Sequence, residues 1–506
     1  MPAIGIALRR APLWRRHMVT LALIAAAFGA IATDATAAKV NIVRQSGAPA
    51  GKIPKDTAYF TTIQAAVNDA TKGDWVLIEA GTYDEEVKVT PAHSGIWIRG
   101  MNRNTVLIDG KNEPCKHSPC PEGSNGIEVQ AASNVYIENL TVANFDRETI
   151  DAPGGNEIWW NGGENSKKIG AHGWYGRYLT AYDTGFNGGY GIFTNNETNG
   201  SWEKIYASGF NDSGMYLGAC QNCRARISEA TMENNALGYS GSNSGGRLVI
   251  EHSTFVHNTD GIAPNSENPG DGPPPQDGEC KRPNIEDPNP TPKVKNTKIK
   301  RCTVFRGNLI SENNNLTVPA NASAAAAPWG VGIELPGTYA DLLEGNTITD
   351  NPSDGVLAFE YPNPYEPPEF KNTIFFQLAG NKIADNTFSG NGGAPLTEVN
   401  FGGDVMMTGG LFGTQESTNN CLSANTFADA VYPANIEEAW GCQHKLTPNP
   451  DIAYENPEAA IQYLLELRFV SEHRELFAEV KGQPIPPAQE TMPNACEGAP
   501  KNPLCP

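Results

Sequence analysis

Between residues 164 and 183 the chain gathers Glu164, Lys167, Lys168, His172, Tyr175, Arg177, Tyr182 and Asp183. Taking a proton from a carbon beside a carboxylate needs a base and a positive charge to hold that carboxylate. His172, Tyr175 and Arg177 are of the right types to supply both. Asp260, in Asn258-Thr259-Asp260-Gly261-Ile262, is a further acid with a distinctive setting. A solvated loop has the same composition as the first group, so residue type alone fits either reading. The deciding question is which elements carry these side chains.

Those elements announce themselves by repetition. Gly followed by an apolar residue recurs at Gly191-Ile192, Gly214-Met215, Gly238-Tyr239 and Gly261-Ile262, at intervals of 23, 24 and 23 residues, and again at Gly332-Ile333 and Gly355-Val356, 23 apart. Other alternating apolar stretches, such as Ile137 to Val142 and Leu248 to Phe255, lie between glycines, so each unit holds two or three short strands separated by polar turns. A period of this size means a solenoid or a propeller. Regular leucines, 40-residue blades and a 3.6-residue apolar rhythm are all missing, which leaves a coil of parallel strands stacked about 4.8 Å apart. The expected fold is all-β, a right-handed parallel β-helix. Asn in its turns tolerates left-handed backbone and can bond to the Asn above and below.

With the residue after each Gly pointing inward, the second and fourth residues after it face out. This places Glu128, Trp159, Phe193 and Tyr216 in one outward column. Gln130, Asn161, Asn195, Ser242 and Asn265 fall in a second. Aromatic faces beside hydrogen-bonding groups suit sugar rings, which have apolar faces and polar edges. The competing reading is that the aromatics stack for stability or lie under loops.

The chain opens with Arg9, Arg10, Arg15 and Arg16, an apolar run from Met18 to Ile31, and Ala35-Thr36-Ala37. This reads as a signal peptide over residues 1–38; the run is too short for the roughly 20 residues of a membrane span. The mature chain is then expected to be secreted, periplasmic or at the cell surface, with no stable membrane insertion. Ten cysteines fall into near neighbours, 115/120, 220/223, 280/302, 421/442 and 496/505, which in an exported chain read as short-loop disulfides. Zinc at Cys220 and Cys223 is the rival, although no second pair stands near.

A solenoid needs its ends covered. Thr61-Thr62-Ile63-Gln64 fits a capping box, with Ile63, Ala66, Val67 and Ala70 on one helical face. Asn456-Pro457-Glu458 starts a second helix with Ile461, Leu464, Leu465, Leu467 and Phe469 as its apolar residues. The β-helix domain is expected over residues 39–435 with a Pro-rich insertion at 264–296, a possible groove wall. A C-terminal helix and disulfide-bearing tail follow over 436–506.

The Ile63-Gln64-Ala65-Ala66-Val67 helix, the Val76 to Tyr83 strand and turn and the run of Asn…Gly-Ile coils resemble the pectin-lyase-like superfamily of parallel β-helix repeat proteins over roughly residues 55 to 430. The resemblance implies the fold and a substrate groove along one sheet face, while the reaction varies across the superfamily. Asn258-Thr259-Asp260-Gly261-Ile262 is similar to the first motif of polygalacturonase-like hydrolases, which implies a catalytic Asp260. The paired Asp, Gly-His-Gly and Arg-Ile-Lys that should follow are missing. Tyr190-Gly191-Ile192-Phe193-Thr194-Asn195 resembles the equivalent strand of mannuronan-epimerase-like proteins without its Asp and His.

A formal charge of −20, three units more negative once the signal is removed, argues against a nucleic-acid partner. The expected partner is a polysaccharide or surface glycan, met by a monomer. A lyase is set slightly ahead of a hydrolase, and a non-catalytic glycan-binding surface protein is the alternative. No cofactor is certain. Calcium suits the acidity, but no ligand set stands out.

Overall fold

The computed structural model describes residues 38–113, 124–148, 153–163, 170–220, 222–266, 280, 301–319, 324, 327–362, 375–393, 402–408, 417–444, 449, 457–477, 479 and 481–506. The segment expected to be a signal peptide, Cys115 with Cys120, Glu164, Lys167, Lys168 and almost all of the 264–296 insertion lie outside the described residues. Residues 39–506 form one compact unit.

The chain is a parallel β-helix. An 11-stranded parallel sheet runs from Val87–Val89 through Asn125–Gln130, Asn156–Asn161, Tyr190–Asn195, Ser213–Gly218, Leu237–Ser242, Asp260–Asn265, Val331–Pro336, Asp354–Phe359 and Gly403–Thr408 to Val431–Tyr432. The remaining coil walls join in a 21-stranded network, because Val135–Ala143 and Trp174–Tyr182 run unbroken across the bend between two strips. Crossovers between parallel strands of one sheet are right-handed.

The residues after the repeating glycines, Ile127, Ile192, Met215, Tyr239, Ile262, Ile333 and Val356, stack into an interior ladder that Ile158 after Glu157 and Val405 after Asp404 continue, every member fully buried. Burying each contributes about 2 kcal/mol. The repeating Gly has a steric cause. A Cβ on Gly191 would stand 2.6 Å from the carbonyl oxygen of Gly214, and one on Gly238 would stand 2.5 Å from that of Gly261.

The turns carry asparagine ladders. Asn235 Nδ2 donates to Asn258 Oδ1 at 3.0 Å, Asn258 to Asn313 at 3.1 Å, Asn313 to Asn351 at 2.9 Å and Asn351 to Asn391 at 3.0 Å. Asp404 accepts the last amide at 2.9 Å. A second ladder passes from Asn308 through Asn346, Asn386 and Asn425 to Glu437. In both, a carboxylate ends the series where no further Asn is available to accept.

Helix α1 (Ile63–Asp69) starts at Thr62, whose side chain accepts from Ala65 N, and buries Ile63, Ala66 and Val67 in the core cluster of the first coil. The four-residue α2 (Ile436–Ala439) places Ile436 and neighbouring Trp440 against the last coil. Helix α3 (Pro457–Glu472) does not follow the expected apolar face. Tyr463, Leu467 and Val470 are buried, whereas Leu465 and Phe469 are 56% and 49% exposed. Leu467 was among the expected residues. Tyr463 was not, because its aromatic body is apolar while its hydroxyl needs the partner found on the sheet.

Cys220–Cys223, Cys280–Cys302, Cys421–Cys442 and Cys496–Cys505 are disulfides. The first bond consumes the two thiols that a zinc site would have used.

Candidate functional site

The outer face of the 11-stranded sheet carries the expected columns in register. Glu128, Trp159, Phe193 and Tyr216 are successive partners, followed by Ser240 and Ala263. Gln130, Asn161 and Asn195 form the second column, and Ser242 pairs with Asn265 farther along it.

Hydrogen bonds hold these groups in place. Asn161 Nδ2 donates to Glu128 Oε1 at 2.8 Å, and Lys88 Nζ lies 3.8 Å from Glu128 Oε2. Trp159 Nε1 donates to Asn195 Oδ1 at 2.8 Å.

The aromatic rings are not laid flat as a platform. Trp159 and Phe193 stack with centroids 5.1 Å apart and planes within 4°. That separation is close to the strand spacing, so their mutual faces lie along the coil axis. Phe193 meets Tyr216 edge-on at 5.0 Å, and the two are only 8% and 7% exposed. The stack is in large part a stabilising ladder.

Tyr190 is a member of this face that the periodic count missed. Its ring lies 4.7 Å from Phe193 and 5.0 Å from Tyr216, and Arg147 Cζ stands 5.6 Å from its centroid. Strict alternation points the residue before Gly inward, yet Tyr190 shares the outer face. Its position directly before a repeating Gly was the available signal. Gln130, Trp159, Tyr190, Asn195 and Asn265 are partly exposed and form the accessible part of the surface.

Farther along, the same face is covered. Leu237 and Ala263 pack with Phe186, Val318 and Ala324. Val331, Leu357, Phe359 and Met406 lie in one cluster with Tyr463 and Leu467 of α3. Tyr463 Oη donates to Asp354 Oδ2 at 2.7 Å.

Asp260 belongs to this covered part and is fully buried. Its Oδ1 accepts from Ile262 N at 3.2 Å, and its carboxyl is hydrogen-bonded to that of Glu334. Burial raises Asp260 well above the usual carboxylate range and Glu334 adds to the shift. Glu334 itself is pushed up to about 8 by burial. Two carboxyls in direct hydrogen bond are closer than the roughly 5–9.5 Å that lets such a pair flank a glycosidic bond. The position expected for a catalytic acid therefore holds a buried, proton-sharing pair.

His172, Tyr175 and Arg177 do not join this face. Tyr175 continues a stack of Trp75, Trp97 and Tyr136 on the 21-stranded network, 4.5 Å from Tyr136. Arg177 Nε donates to Glu138 Oε1 at 2.6 Å, and Nη1 lies 3.4 Å from Glu497. His172 sits in a two-stranded bridge with Glu197–Thr198, exposed, its Nδ1 3.3 Å from Ser133 Oγ. Sequence proximity had grouped three side chains that the coil distributes away from the Trp159 column. Tyr175 and Arg177 alternate with buried Trp174 and Gly176 and so face outward on another wall.

No family model matches the chain, and no curated protein matches it. Among solved structures, it is similar to the mannuronan C-5 epimerase A-module of Azotobacter vinelandii at 14% identity and TM-score 0.43, over 76% of this chain and 95% of that one. It is similar to a polygalacturonase from Erwinia carotovora ssp. carotovora at 10% identity and TM-score 0.44, over 78% and 94%. An alginate lyase from Paenibacillus sp. matches at 14% identity and TM-score 0.34, over 74% and 93%. These are likenesses of fold.

Proposed function

We propose that the chain is an exported protein that engages an extracellular polysaccharide along the accessible part of the 11-stranded sheet. The observation that carries this reading is the partly exposed row of Gln130, Trp159, Tyr190 and Asn195 on three successive strands, with Asn265 three strands farther on, aromatic rings beside amides. Such a row meets the polar rims of successive sugars better than their flat faces. The disulfides suit an oxidising compartment and agree with the signal-like leader.

For a reaction we favour elimination beside a uronate carboxylate over hydrolysis. Tyr190 stands with Arg147 over its ring, a proton-accepting group beside a cation on the proposed binding face. Hydrolysis would call on carboxyl pairs, and Asp260 with Glu334 is buried and too close. The non-catalytic alternative keeps the same binding row and assigns Tyr190 to packing.

The test is a panel of uronate and neutral polysaccharides, followed by ultraviolet absorbance of unsaturated products, by new reducing ends and by titration calorimetry. The expected result is binding that Trp159→Ala weakens about tenfold, with unsaturated product lost in Tyr190→Phe while binding persists. Binding without either product selects the non-catalytic reading. No binding to any polysaccharide by a folded protein overturns the proposal.

A further inference from the structure

Helix α3 carries two apolar stripes, and the fold of one chain uses only the first. Tyr463 and Leu467 pack on the sheet, and Val470 and Arg474 prolong their line and are buried with them. Leu465, Phe469, Glu472 and Leu476 make a second stripe at the same spacing. At 3.6 residues per turn it runs along the opposite side of the helix and of the 3-10 turn Arg474–Leu476 that prolongs it.

Single apolar residues scattered over a surface are ordinary. These are not scattered. Of the seven large apolar side chains exposed among the described residues, Leu465, Phe469, Leu476 and Phe477 belong to this helix and the turn after it. Three of them stand in line, 56%, 49% and 64% exposed. A helix that is apolar on two opposite sides is built to lie between two partners. Among the described residues α3 has one, the sheet.

The charges along the second stripe indicate what the other partner is. Glu472, inside the stripe, is held by its own helix, since Arg468 Nε donates to Glu472 Oε1 at 2.7 Å. Arg468 borders the stripe, and Glu475 borders it on the same side one heptad later; both are exposed. Lay a second such helix antiparallel on the first. Leu465 of one copy then meets Leu476 of the other, the two Phe469 rings meet near the axis, and Arg468 faces Glu475 twice.

We infer that α3 is the contact between two copies of this chain, paired antiparallel about a two-fold axis. Such a contact presents one patch to itself and must be self-complementary, as this stripe is in both shape and charge. A membrane surface is the poorer occupant. Helices that lie on lipid are rich in Lys and Arg, whereas here Arg468 stands against Glu466, Glu472 and Glu475. Because α3 lies on the outer face of the 11-stranded sheet, the axis turns the two sheets' outer faces toward each other. The inference departs from the monomer expected of the sequence, and it does not rest on the polysaccharide reading.

One helix per copy makes a small contact, so the pairing is reversible, with a dissociation constant on the order of 10⁻⁵ M. The experiment is sedimentation of the disulfide-intact compact unit, residues 39–506, at concentrations from about 1 to 200 μM that span this constant. The wild type is expected to pass from monomer to dimer. Phe469→Asp alters an exposed site and removes a ring from each copy. It should weaken dimerisation at least about a hundredfold while circular dichroism stays that of the wild type. Arg468→Glu or Glu475→Arg alone should weaken it about tenfold, and the two together should restore it, which a contact elsewhere on the chain would not do. Monomer at every concentration, a dimer indifferent to Phe469→Asp, or a double variant no better than the singles overturns the inference. A monomer that binds phosphatidylcholine vesicles, and loses them in Leu465→Asp, assigns the stripe to a membrane and overturns it as well.

Discussion

Asp260 and Glu334 keep a proton between them under the covered half of the sheet, and that has a signed consequence for stability. Glu334 is raised from its ordinary 4.5 to about 8. Across that window the folded chain holds a proton that the unfolded chain has lost, so stability falls as pH rises from about 4.5 to about 8 and levels off above. The slope from one such group is about 1.4 kcal/mol per pH unit. Glu334→Gln keeps the hydrogen bond without the ionisation, so urea unfolding at pH 5, 6.5 and 8 should show a shallower decline than the wild type by about that slope. Equal slopes would show that Glu334 does not hold the proton. The sequence made Asp260 conspicuous because its neighbours complete a motif. It could not show Glu334, which is 74 residues later in number and adjacent only after the insertion is looped out. Trp159, Phe193 and Tyr216 were legible as a column because side-chain alternation is local geometry. Their mutual stacking was not, since ring orientation is set by packing between coils.

The turns obey a stricter logic than the strands. Asn351 is fully buried; its Nδ2 donates to Asn391 Oδ1 and to Ile310 O, and its Oδ1 accepts from Asn313 N and Nδ2. Asn351→Ala leaves several of these groups unpaired at once, at about 1–3 kcal/mol for each that water cannot reach. The expected outcome is a loss of about 3 kcal/mol or more in denaturant unfolding, with coils on both sides of the gap loosening in hydrogen exchange. A loss under 1 kcal/mol would mean the ladder is decorative. This element was readable in advance, because Asn recurs before Gly at the coil period. Helix α3 was readable as a helix from Asn456-Pro457-Glu458, but its resting place was not. Its amphipathic pattern is weak, and what fixes it on the sheet is Tyr463 reaching Asp354, two groups more than 100 residues apart.

At the scale of the molecule, the tail is a strap. Gln483 N donates to Thr184 O, Gln489 exchanges bonds with Asn104, and Glu490 pairs with Lys204. Thr491 and Met492 both donate to Asn139 Oδ1. Arg103 Nη1 reaches the Glu490 carbonyl, and Arg99 Nη1 those of Ala495 and Glu497, from side chains 2% and 1% exposed. The two arginine clasps use main-chain carbonyls of the tail, which every sequence has, and this explains why nothing in residues 481–506 advertised them. A chain ending at Lys481 uncovers both guanidiniums and loses charge-assisted bonds of about 1.5–3 kcal/mol each. Its melting temperature should fall, and limited proteolysis should open the first coils before the last. Unchanged melting and cleavage would show that the strap merely rests there. The order of synthesis gives this strap a further meaning. Residues 483–497 are synthesised after the coils at residues 99–204 that they fasten, so those coils must form without their clasp until the later segment arrives.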